Sequence, residues 1–174
     1  MDESVRSRLD ALLDLEKLHG GRSVPYLLRV LADRREPTPV HLHILRRLRN
    51  RPFIPGYRPT LAEAILEVLS YRSSPELRLQ AALSLGEFTD IEGVPSRLGS
   101  LALDPEESID VRYSAFTSLQ RAGPTAECVA LLRRLAQDES LGAAARSVLY
   151  LWRRSNEQAD SDAGNLQGEL TDDE

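Results

Sequence analysis

Residues 75–104 read PELRLQAALSLGEFTDIEGVPSRLGSLALD, and they decide the fold because the chain carries them twice. Shifted by 34 residues, the stretch falls on residues 109–138, IDVRYSAFTSLQRAGPTAECVALLRRLAQD. Without a gap, Arg78 meets Arg112, Ala81 meets Ala115, and Ser84-Leu85 meets Ser118-Leu119. Leu98 meets Leu132, Leu101-Ala102 meets Leu135-Ala136, and Asp104 meets Asp138. Leu77/Val111 and Val94/Cys128 are conservative exchanges, which places Cys128 at a core position. The matching apolar residues recur every three to four positions, the spacing of one helix face.

Outward from this repeat, helical spacing continues almost everywhere and no alternating run suggests a strand. The spacing predicts about nine helices, near 3–18, 24–33, 39–50, 60–71, 75–88, 92–103, 108–122, 125–137 and 140–154. Helix-start chemistry punctuates them. Ser23 precedes Val24-Pro25, and Thr38 precedes Pro39, with proline in the first helical turn. Thr60 to Glu63 and Ser73 to Glu76 have the capping-box spacing, in which hydroxyl and carboxylate satisfy free backbone N–H groups. Gly20-Gly21 and Gly123-Pro124 read as helix ends. The short connections make neighbouring helices antiparallel.

These residues resemble the short bacterial, PBS-lyase-like HEAT repeat. The resemblance rests on Leu77-Arg78, Ala81, Leu85-Gly86, Val94-Pro95, Leu98, Leu101 and Asp104. The second copy departs from it at Gln120, for the glycine, and at Val129, for the proline. Val24-Pro25, Leu28 and Leu31 resemble the Val-Pro helix again upstream. The resemblance spans roughly 22–154 and implies an all-α, right-handed α-solenoid. Its antiparallel pairs would be 24–50, 60–88, 92–122 and 125–154, in one domain over 1–154, with residues 1–21 as a capping helix. It also implies a structural role for the repeated arginine. Aligning 39–50 with 75–88 puts His41 on Arg78, so the histidine is expected in that role.

The formal net charge of −5 is uneven. Residues 1–72 hold 13 basic and 9 acidic side chains, whereas 155–174 hold no base and 7 acids. That tail, SNEQADSDAGNLQGELTDDE, has few large apolar groups and is expected to be disordered. A further possibility is that it folds back on Arg46 and Arg47 as an electrostatic gate. The single cysteine excludes an intrachain disulfide and a thiolate zinc set. Residues 1–20 do not have the form of a secretory signal, and no apolar run is long enough to cross a membrane. A cytoplasmic, monomeric protein is the expectation.

VHLHILRRLRNR, residues 40–51, is the remaining feature. His41 and His43 stand ~200° apart on a helix, so they cannot share a metal. Residues 34–58 carry seven arginines and one acid, Glu36. The resemblance makes the second helix of each pair line a concave face. By position, that face would present His43, Arg47 and Asn50, then Gln80, Ser84 and Glu87, then Ser114, Ser118 and Arg121. Arg46, Arg51, Tyr57 and Arg58 flank it. On the last helix, Leu149 and Trp152 are expected to close the core. No nucleophile, base and orienting acid form a set, and no phosphate loop or metal spacing occurs. Catalytic residues, cofactors and metal ligands are therefore none. The expected function is non-catalytic protein binding, in an adaptor, inhibitor, immunity-type or assembly role, toward an acidic surface. The alternatives are nucleic-acid binding through the Arg34–Arg58 patch and, behind it, kinship to bilin lyases.

Overall fold

The computed structural model describes residues 3–16, 23–49, 55–70 and 74–168. Among them the fold is all-α, with no strand. The helices are α1 (Glu3–Glu16), α2 (Val24–Ala32), α3 (Thr38–Leu48), α4 (Arg58–Ser70), α5 (Pro75–Leu85), α6 (Val94–Leu103), α7 (Ile109–Ala122), α8 (Ala126–Leu135) and α9 (Gly142–Gly168). Short 3-10 turns span Pro55–Tyr57 and Gly86–Phe88. Two compact units form, Met1–Ala122 and Gly123–Glu174.

In the first unit α2 packs on α3, α4 on α5 and α6 on α7, as antiparallel pairs. The second helices α3, α5 and α7 lie side by side, and α2, α4 and α6 form the other layer. Helix α1 packs on α3 and so extends the first of these layers. This is a solenoid-like arrangement, and its core is continuous between the layers. Leu31, Ile44, Leu45, Leu48, Leu61, Ile65, Leu85, Phe88, Leu98, Phe116 and Leu119 are buried there. Each such aliphatic or aromatic side chain contributes about 1.5–3 kcal/mol when removed from water.

One polar contact recurs in every pair. Arg78 donates from Nη1 to the carbonyl of Leu69. Arg112 donates from Nε to Ala102, at 2.9 Å. In the second unit, Arg146 donates from Nη1 to Ala136, at 2.5 Å. His41 Nε2 lies 2.9 Å from the carbonyl oxygen of Val30. Each acceptor sits at the C-terminal end of the pair's first helix, where carbonyls run short of partners within their own helix. The side chain supplies a donor there and ties the two helices of a pair; the Val30 carbonyl also accepts from the Asp33 backbone N–H. Arg112 and His41 are buried to do so. Arg78 also forms an ion pair with Glu107, in the connection before α7. The expectation for His41 holds, and Arg146 adds a copy that the alignment had left unread.

Serines make the second recurring contact. Ser84 Oγ lies 2.9 Å from the carbonyl oxygen of Leu45, and Ser118 Oγ lies 2.8 Å from that of Ala82. Both are fully buried between adjacent second helices. A small residue is needed for such an approach. Gly86 shows the same constraint, since a Cβ there would stand 3.0 Å from Ser118 Oγ.

Some expected helix starts move. Ser74, rather than Ser73, caps α5, accepting from the Leu77 backbone N–H at 3.3 Å. Ser73 lies outside the described residues, as do His19 and Gly20-Gly21. Thr60 lies inside α4, which begins at Arg58 instead. Thr38 is likewise helical, with Pro37 at the cap position of α3.

In the second unit α8 packs on α9. Cys128, Leu132, Leu135, Leu141, Ala145 and Val148 are buried, Cys128 where the valine-like position required it. Thr125 caps α8 by accepting from the Cys128 backbone N–H at 3.1 Å. Gly123 has φ +83°, a left-handed conformation that ends α7 at little cost for glycine. Helix α9 runs to Gly168 and takes in residues 155–168 of the acidic tail. Extending an existing helix needs no new nucleus, and Arg153 meets Glu157 one turn on, at 3.6 Å. Residues 169–174 lie outside the described residues.

Candidate functional site

The outer surface of the α3–α5–α7 layer carries the polar residues that the sequence singled out, but sorts them differently. Ser84, Ser114 and Ser118 are buried and are not available to a partner. Their hydroxyls bond helix carbonyls, Ser114 to Asp110 at 2.7 Å. The repeat placed them one turn from charged residues, and helical spacing alone could not tell which side of that edge they occupy. Arg58 is also removed from the site. It donates to the backbone carbonyl of Glu87 at 2.9 Å, pairs with Asp90 and stacks 5.2 Å from the Phe88 ring centroid. It pins the start of α4 to the turn after α5. Tyr57 is half-buried in the 3-10 turn before α4. Asn50 and Arg51 lie outside the described residues.

His43, Arg46, Arg47, Gln80, Glu87 and Arg121 remain, each at least partly accessible. Arg46, at the end of α3, reaches Glu76 at the start of α5, 3.3 Å away. Both side chains are more than half exposed, so the pair contributes little to stability. Arg121, near the end of α7, pairs with Glu87 in the turn after α5. These two bridges cross the layer from helix to helix.

Arg49, which the sequence reading passed over, stands among them. Burial pulls its guanidinium below the usual arginine value, the like charges of Arg46 and Arg121 add to this, and Glu87 opposes them. Its Nε is buried and, among the described residues, has no hydrogen-bond acceptor. Gln80 Oε1 is a buried acceptor in the same condition. Such groups are rare in folded proteins and each costs about 1–3 kcal/mol. The only sequence signal for Arg49 was its spacing, i+3 from Arg46. In the repeat it aligns with Gly86, where no side chain draws the eye.

Comparison with protein-family models, with curated proteins and with solved structures finds no match. The geometry therefore stands on its own. Three guanidinium groups stand together with two carboxylates, Glu76 paired with Arg46 and Glu87 paired with Arg121, and Arg49 carries an unsatisfied donor. The arrangement can take a planar anion, for which arginine's fork of donors is suited. His41 is buried on the Val30 carbonyl while His43 is partly accessible, so the two do not converge. Among the described residues no three His, Cys, Asp or Glu side chains gather as metal ligands, and no helix is long and apolar enough to cross a membrane.

Proposed function

We propose that this chain is a non-catalytic binding module of the HEAT type, which holds an acidic surface of a partner protein on the outer face of the α3–α5–α7 layer. The HEAT assignment is supported by the arginine-to-carbonyl contact, which falls at the repeat's own arginine in each clear copy. The binding role is carried by the crowding of Arg46, Arg49 and Arg121, whose like charges oppose one another beside a single neighbouring acid, Glu87. A partner carboxylate on the accessible Arg46 and Arg121 would relieve that repulsion. Arg46, Arg121 and Arg47 would take neighbouring acids, and His43 and Gln80 would add polar contacts. Glu87 would repel a partner docked out of register, which gives selectivity rather than affinity.

Arg46 and Arg121 are exposed, so reversing their charge leaves the core intact. The immobilised chain is expected to retain a stoichiometric protein from native extract. The double variant Arg46→Glu/Arg121→Glu should lose it, with unchanged far-UV circular dichroism. Equal retention by the variant sinks the proposal. Retention of duplex DNA in place of protein would move the same residues to the nucleic-acid reading.

A further inference from the structure

The second unit has a cleft of about 470 Å³, within the ~300–1,000 Å³ usual for ligand sites. Leu149 and Trp152 were expected to close the core, yet both are only half-buried and line this cleft with Val129. Helix α8 has 10 residues against 27 in α9, and Trp152 lies beyond the stretch of α9 in which Leu141, Ala145 and Val148 are buried. Around these apolar groups stand three cations, Arg133 from α8 and Arg146 and Arg153 from α9. No acidic residue lines the cleft. Among the described residues, the one carboxylate paired with these guanidinium groups is Glu157, 3.6 Å from Arg153 and well exposed. Arg146 is held in place by its bond to Ala136, so its charge is pre-positioned.

We propose that this cleft docks a short acidic peptide of a partner protein, with one aromatic or branched aliphatic side chain seated on Trp152, Leu149 and Val129. Its carboxylates meet Arg133, Arg146 and Arg153. The combination of an apolar floor and a basic lip selects both halves of that ligand. A nucleic acid fits less well. Residues 123–174 hold five arginines against ten acids, so the net charge of this segment disfavours a long, uniformly anionic backbone. The cleft shares no residue with the α3–α5–α7 face, and its test is independent of the function proposed above.

Trp152 is the chain's only tryptophan, and its emission reports on the cleft directly. The full chain is titrated with the peptide acetyl-Asp-Asp-Phe-Asp-Glu-Leu-amide, with a version carrying lysine in place of every acid, and with a single-stranded oligonucleotide. The acidic peptide should give a saturable change in Trp152 emission. Affinity should fall at least tenfold for the lysine version and for Arg133→Glu/Arg153→Glu, whose changed residues are exposed. No saturable change, equal affinity of the variant or the lysine peptide, or tighter binding of the oligonucleotide overturns the proposal. Removing residues 169–174, which hold four acids, should leave the affinity unchanged. A tenfold gain on removal would make the chain's own terminus the occupant and also overturn it.

Discussion

A single buried side chain, Arg112, shows how this fold uses arginine. Its Nε donates to the Ala102 carbonyl at the C-terminal end of α6, so this buried donor is satisfied. Replacing it with methionine keeps an unbranched stem as far as the Nε position and removes the donor. Arg112→Met should destabilise the chain by about 1.5–3 kcal/mol in urea unfolding followed by circular dichroism. Arg97→Met, at an exposed arginine of α6, should stay within about 0.5 kcal/mol. Equal effects would show that the contact is not structural. The role of this arginine, and of His41 in its place, was legible because one repeated identity implied one repeated environment. Arg49 was not legible, since nothing in a residue's type or spacing announces that a guanidinium is partly desolvated beside two others. Ser84 and Ser118 were misread for a related reason. Their identity between copies reflects the closeness of adjacent helices, which a surface role would not require.

At the scale of elements, helix order and number followed from apolar spacing, whereas the ends did not. Thr60 and Thr38 carry the chemistry of a cap but lie within helices whose preceding residues also accept helical geometry. Residues 155–168 hold few large apolar groups, yet a helix that packs against α8 continues through them. Gly123 was read correctly, because a left-handed backbone leaves a strong preference in the sequence. Nothing lies within 4 Å of where its Cβ would be. Gly123→Ala should therefore cost about 1–2 kcal/mol through φ alone. Gly56→Ala, where the space is also open and φ is not positive, should cost far less. Thermal unfolding of the two variants separates backbone strain from crowding; equal midpoints would contradict the assignment.

For the whole molecule, charge is distributed in a way the net value conceals. Residues 1–122 hold 17 basic and 17 acidic side chains, so the full −5 belongs to residues 123–174. Binding of an acidic partner at Arg46, Arg49 and Arg121 would thus rest on a local cluster, with no broad positive field to steer approach from a distance. Raising salt from ~0.05 to ~0.5 M should lower its affinity chiefly through faster dissociation, with a modest change in association rate. A steep loss of association rate would instead indicate long-range attraction, measurable by surface plasmon resonance. The repeated arginine contact has a further consequence for this chain's history. Because each pair closes upon itself through a bond spanning nine to eleven positions, adding or removing one whole 34-residue module would leave every other such bond intact. Losing a residue or two between donor and acceptor would break one outright. Such a chain can change length only in quanta, and its evolution is better counted in helix pairs than in amino acids.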